Sequence, residues 1–337
     1  MRPPFGAAHG GRISWLPTNR SGATFSHRAA ARGHRGEHEP LIRGVRAAAV
    51  LGLLATACTT TTGPPRTHSA MPTATAVADP LASCRAQVGF SALTVIAHVT
   101  NADDVAAQSD GTLWVSGAAG GMITHLSGTG DVLARVADPN TPEGLVALDD
   151  GRLLIAEQAT DRIVVVHPPS TARSTLLQLT PRPGMDGVDG LGFDPADRLL
   201  LVPDSAQGHL ITVGLGGGTP SLVASGLGRV VGAAFSPDGS IAVAAEANAG
   251  LVLVKPAGGA TEVIPGIAEA DDVVASGALL YVSSLAAHEI LAVDPASQHF
   301  QVLVNHVQMP QGIAVLPPGR LAVTDSSSGT VALVPAC

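Results

Sequence analysis

Short apolar runs, parted by glycine- and aspartate-rich turns, recur along most of the chain. Pro310-Gln-Gly-Ile-Ala-Val-Leu-Pro-Pro-Gly-Arg-Leu-Ala-Val-Thr-Asp325, followed by Gly329-Thr-Val-Ala-Leu-Val334, reads as a strand, a tight turn, a second strand, a loop and a third strand. The phrase returns near Ala102, Pro142, Val188, Val231 and Ala270. With the residue that opens each first strand as a marker (Asp104, Gly144, Gly190, Gly232, Asp272, Gly312), the steps are 40, 46, 42, 40 and 40 residues. A period near 40 with about four short strands per unit predicts a β-propeller, since ankyrin and TPR arrays have shorter, helical units. The predicted fold is therefore all-β: a six-bladed β-propeller with four-stranded blades.

The predicted first strands are small and apolar, as crowding around an axis requires: Val105-Ala-Ala, Leu145-Val-Ala-Leu, Leu191-Gly-Phe, Ala233-Ala-Phe, Val273-Val-Ala and Ile313-Ala-Val-Leu. Asp-Gly at Asp110, Asp150 and Asp238 marks hairpins into the second strands. The last repeat lacks a fourth strand. Phe90-Ser-Ala-Leu-Thr-Val-Ile-Ala-His-Val99 matches the fourth-strand phrase beginning at Phe300, and is expected to complete the sixth blade and remove its open edge. Cys84 lies just before that strand and Cys337 just after the third strand of the last blade. A disulfide between them is expected to take the place of the loop that joins these points in the other blades.

Composition allows such a body. Of 337 residues 45% are hydrophobic and 14% charged, and 39 Gly and 25 Pro suit many turns. The net charge of −8 conceals an asymmetry: residues 1–57 hold eight Arg and two Glu, which leaves 11 basic against 25 acidic side chains in residues 58–337. A nucleic-acid groove needs clustered Lys and Arg, so no nucleic-acid partner is expected. Scarce aromatics argue against a sugar-stacking platform.

The first 44 residues have no apolar period and are read as disordered or untranslated, with Val45 a second candidate start. Arg43 and Arg46 precede an apolar run, residues 47–57, that is too short to span a bilayer, so 45–57 reads as a signal peptide. Leu54-Ala-Thr-Ala-Cys58 resembles the lipobox of bacterial lipoproteins, which implies lipidation of Cys58; ordinary secretion is the other reading. Residues 58–80, rich in Thr, Pro and Ala, form a tether before a propeller at 81–337. The expected product is extracytoplasmic, held to the bacterial envelope through a lipid anchor or secreted, and works as a monomer on a small-molecule ligand or an envelope protein.

Strands alternate in direction, so openings of first strands and ends of second strands share one face. The openings carry Asp103, Glu143, Asp189, Val231, Asp271 and Gln311, and the ends add Glu157, Asp204, Glu246 and Asp325. Acids crowded on one ring repel unless a cation or proton lies between them, and hard oxygen donors favour Ca²⁺ or Mg²⁺. Asp103, Glu143, Asp189 and Asp271 are the candidate metal ligands; Glu157, Asp204, Glu246, Gln311 and Asp325 are candidate binding residues. The same acids also suit turns, where a carboxylate bonds backbone amides.

Pro142-Glu-Gly-Leu-Val-Ala, Pro310-Gln-Gly-Ile-Ala-Val and Val188-Asp-Gly-Leu-Gly-Phe-Asp-Pro resemble strand openings of SMP-30/gluconolactonase-like and NHL-repeat propellers. The gluconolactonase-like branch implies a divalent metal at the channel mouth and hydrolysis of lactones or esters, with Glu143 and Asp271 matching its Glu and Asp. No Asn occupies any of the six openings, a departure from that branch. The NHL branch implies binding. The leading expectation is a ligand- or partner-binding propeller, and the alternative is a metal-dependent lactonase or esterase.

Overall fold

The computed structural model describes residues 78–337 apart from 249 and 256–260. The basic segment, the signal peptide, Cys58 and nearly all of the tether lie outside the described residues. Two short strands, β1 (Val88–Gly89) and β2 (Thr94–His98), precede six meanders. The first blade is β3 (Ala102–Ala107), β4 (Leu113–Gly117), β5 (Met122–Leu126) and β6 (Val132–Ala137). The second is β7 (Pro142–Ala147), β8 (Leu153–Glu157), β9 (Arg162–Val166) and β10 (Arg173–Gln178). The third is β11 (Gly192–Asp194), β12 (Leu199–Asp204), β13 (His209–Gly214) and β14 (Ser221–Ser225). The fourth is β15 (Val230–Phe235), β16 (Ile241–Ala245), β17 (Gly250–Val254) and β18 (Thr261–Pro265). The fifth is β19 (Ala270–Ser276), β20 (Leu279–Ser284), β21 (Glu289–Asp294) and β22 (His299–Asn305). The sixth is β23 (Pro310–Leu316), β24 (Arg320–Asp325) and β25 (Thr330–Pro335), with β2 added at its edge. Each blade is antiparallel, and the six-bladed propeller predicted from the repeat is the observed fold.

The hairpin turns follow from their residues. At Asp110, Asp150 and Asp238 a carboxylate oxygen accepts the amide two residues on, at 2.9, 3.2 and 3.0 Å. The glycine between takes a left-handed φ of 85°, 85° and 82°, which side chains resist.

The core is divided into six wedges, each filled by side chains from two neighbouring blades. Leu154 and Ile163 of the second blade pack with Leu200 and Val202 of the third, and Leu251 and Leu253 of the fourth with Leu280 and Leu291 of the fifth. The sixth blade meets the first through Leu316 and Val331 against Val105 and Leu113. No blade buries its faces alone, so closure of the ring is a condition of stability.

Closure is made by β2, which pairs antiparallel with β25 from Thr94 opposite Leu333 to His98 opposite Thr330. The expected strand from Phe90 begins four residues later, because Phe90–Ala92 form a 3-10 turn. The reason lies just upstream: β1 pairs in parallel with β22 of the fifth blade, so the chain must turn before it reaches the sixth. Cys84 and Cys337 are joined by a disulfide, and the Cys337 amide donates to the buried Tyr281 hydroxyl at 3.0 Å.

Candidate metal centre

Five of the six inner strands open with a register shift against their second strand: between Ala102 and Val105, Pro142 and Leu145, Val230 and Gly232, Ala270 and Val273, and Pro310 and Ile313. Such bulges release residues from the ladder and re-aim their side chains. Several amides at these openings find partners outside the ladder. Asp104 and Asp272 donate to Ser116 and Ser283 hydroxyls, both at 2.9 Å, and Gly312 to the Thr324 hydroxyl at 2.8 Å. Gly144 donates to the Asp189 carbonyl at 3.1 Å, and Gly190 to the Val231 carbonyl at 2.6 Å, which ties neighbouring inner strands together.

The bulges of the first two blades and the opening of the third bring Asp103, Glu143 and Asp189 together. Each offers a carboxylate oxygen, and the three oxygens lie within 4.8 Å of one another. Glu143 is buried and accepts from Gln158 Nε2 at 2.5 Å. On the other side, Arg229 Nη2 donates to Asp189 Oδ2 at 2.8 Å, while Nη1 meets Glu246 and Nε lies 3.7 Å from Asp186.

Charge in this cluster is not balanced. Burial, then the charges of Asp189 and Asp272, pushes Asp103 up to about 8. Glu143 is pushed up to about 12 by burial and by Asp189 and Asp103. Asp189 rises only to about 6, because Arg229 offsets much of the effect of burial. One guanidinium thus serves several carboxyls, and the rest are satisfied by protons or by a cation.

The donors fit a hard divalent ion. Calcium binds oxygens at about 2.3–2.6 Å, so two ligands on opposite sides of one ion stand up to about 5 Å apart, the scale of this triad. Asp103, Glu143 and Asp189 would hold it, with water and backbone oxygens completing the shell.

Of the other residues picked out from the sequence, Asp271 stands outside this triad. The Gln311 carboxamide, with its nitrogen toward Asp271, donates to both carboxylate oxygens at 2.6 and 3.2 Å. Burial and the charges of Asp189 and Asp103 also raise Asp271 well above its ordinary range. Glu246 joins the site through Arg229. Glu157, Asp204 and Asp325 serve the strand ends instead. Glu157 is fully buried against Arg162, Thr160 and Asn140, Asp204 accepts the Gln207 amide at 3.2 Å, and Asp325 those of Met309 and Ser327 at 3.0 and 3.2 Å. Arg229, Gln158, Asp104 and Asp272 also take part around the mouth, although their places in the repeat do not mark them as functional side chains. The repeat of Ala102-Asp-Asp-Val105 as Ala270-Asp-Asp-Val273 was a signal for the last two.

No protein-family model matches the chain, and no curated protein sequence does. Solved structures do. The calcium-binding protein regucalcin from Agrobacterium tumefaciens superposes with a TM-score of 0.59 at 16% identity, over 72% of this chain and 97% of that one. A gluconolactonase from Xanthomonas campestris gives 0.58 at 16% identity, over 71% and 86%. A chain of a nidogen/laminin complex gives 0.55 at 21% identity, over 66% and 85%. At these identities the likeness is one of fold: this chain is a six-bladed β-propeller built like the regucalcin and gluconolactonase structures.

Proposed function

We propose that this protein is an exported binding protein whose acidic mouth takes a divalent cation of the calcium class and, above it, a small ligand or an envelope partner. The convergence of Asp103, Glu143 and Asp189 carries the reading: three hard donors with one neighbouring guanidinium leave a deficit of positive charge. The Cys84–Cys337 disulfide supports export, since such bonds persist in oxidising compartments. Lipidation at Cys58 would hold the propeller at a membrane surface through the tether.

A second reading, hydrolysis of lactones or esters, is favoured by Glu143 in its Pro142-Glu-Gly opening and by the fold shared with a gluconolactonase. A cation held there polarises a carbonyl and lowers the pKa of bound water. The three carboxyls would position the ion, and Gln158 and Arg229 would fix Glu143 and Asp189.

Calorimetric titration of the purified protein with calcium tests both readings. Saturable binding lost in Glu143→Gln and Asp189→Asn is the expected result, and absence of binding to the folded protein overturns them. Turnover of lactones or esters by the calcium-loaded protein, lost in the same variants, selects the second reading.

A further inference from the structure

Away from the acidic triad, two histidines stand on turns of the fifth blade. His288 closes the turn between β20 and β21, and His306 opens the connection from β22 to β23. Both have a left-handed backbone, with φ of 60° and 59°. Where other blades are left-handed directly before the third strand they use Gly121, Asp161, Gly208 and Gly329, and directly after the fourth Gly226 and Gly266. Side chains resist this conformation, yet the fifth blade has histidine at both places. The two turns are bonded to each other. The Val307 amide donates to the His288 carbonyl at 3.1 Å, and His288 Nδ1 lies 2.9 Å from the Gln308 carbonyl oxygen. A carbonyl only accepts, so Nδ1 carries the proton and Nε2 of the neutral ring keeps its lone pair. His288, His306, Val307 and Gln308 line one open pocket of about 450 Å³. Both histidines are exposed, and the Gln308 carboxamide oxygen is taken by Ser327 Oγ at 2.9 Å.

We infer that His288 and His306 form a second metal site, which takes a borderline divalent ion of the zinc class on its two imidazoles, with water at the remaining positions. The donors decide the class. Imidazole suits zinc, nickel and copper(II), whereas calcium and magnesium need a shell of oxygens, and among the described residues no carboxylate lines this pocket. The bond from Nδ1 to a backbone carbonyl is the arrangement that orients a metal-binding histidine and fixes its tautomer. Two protein ligands leave positions open to solvent, so the ion keeps the capacity to take a further donor from a ligand or a partner. The site is distinct from the acidic triad and does not depend on a cation there.

The test is calorimetric titration of the whole protein with zinc chloride in excess calcium chloride. Saturable binding that calcium does not displace is expected. Its affinity is expected to fall about tenfold or more in His288→Gly and in His306→Gly, because loss of even an outer-shell partner costs about 10- to 100-fold. Glycine is what sister blades carry at both places, so these variants are expected to fold, with melting temperatures within a few degrees of wild type in the absence of zinc. His299→Gln, at a histidine outside the pocket, is expected to leave zinc binding unchanged. Zinc affinity unchanged in both glycine variants, displacement of the zinc by calcium, or an equal loss in His299→Gln would each overturn the proposal.

Discussion

Asp272 Oδ2 accepts the backbone N–H of Ile313 at 2.7 Å, so a side chain of the fifth blade fixes the inner strand of the sixth. Asp104 does the same for Leu145, between the first blade and the second. The other four openings have glycine at this position, and there one backbone abuts the next directly. Blades are therefore joined at the axis in two ways, by a carboxylate clamp and by close glycine contact.

Removing a clamp leaves two amides unpaired. Asp272→Ala strands the N–H groups of Val273 and Ile313, at a cost of about 3 kcal/mol. Asp272→Asn retains an acceptor and is expected to cost less. Urea unfolding midpoints measure both, and equal midpoints for wild type and Asp272→Ala would count against the clamp.

Glycine contact makes an opposite kind of demand. A Cβ on Gly144 would lie 2.4 Å from the Asp189 carbonyl and 2.7 Å from Gly190 Cα, so Gly144→Ala must push inner strands apart. About 3 kcal/mol or more is expected to be lost. Gly214→Ala, where nothing stands within 4 Å, is the matched control and is expected to leave the melting temperature within a few degrees.

The acidic mouth ties stability to pH. Asp103 is raised from an ordinary 3.8 to about 8, and Glu143 from 4.5 to about 12, so the folded state binds these protons more tightly than the unfolded chain does. Their stabilising effect is complete below about pH 4 and is lost as pH rises, for Asp103 until about pH 8. With EDTA present, the melting temperature is expected to fall between about pH 5 and 8. Calcium requires the ionised carboxylates, so its stabilisation is expected to grow over the same interval. Thermal melts across that range, with EDTA and with calcium, give the two curves; parallel curves would remove the metal from the mouth.

The disulfide closes a span of 253 residues, for which the chain-entropy model gives about 5 kcal/mol. Cys84→Ser or Cys337→Ser is expected to lower the free energy of unfolding on that scale, read from the denaturant midpoint, and a reductant to do so in wild type only. Unchanged midpoints under reduction would show that β2 holds the seam unaided.

The ring was legible because each blade repeats its local chemistry. Gly111, Gly151 and Gly239 announce hairpins wherever they fall, and the apolar phrases between them need only short-range rules. Asp103, Glu143 and Asp189 could be put on one ring by counting from those phrases. Their partners could not. Arg229 stands two residues before Val231, an opening that offers no ligand of its own, and reaches Asp189 across 40 residues of sequence. Asp104 and Asp272 served as strand markers in the repeat, while their acceptance of the next blade's amide depends on the ring being closed. The turn from Phe90 to Ala92 was hidden for a related reason: β1, two residues long, has no pattern to announce it.

The parallel pairing of β1 with β22 bears on how the chain is assembled. A polypeptide delivered from its N-terminal end presents β1 and β2 first, yet both must wait for partners more than 200 residues behind them. Until those arrive, five inter-blade wedges can form in order, while the first and last blades keep an uncovered face and β25 an open edge. The strands of the propeller that are synthesised first are thus the last to be seated.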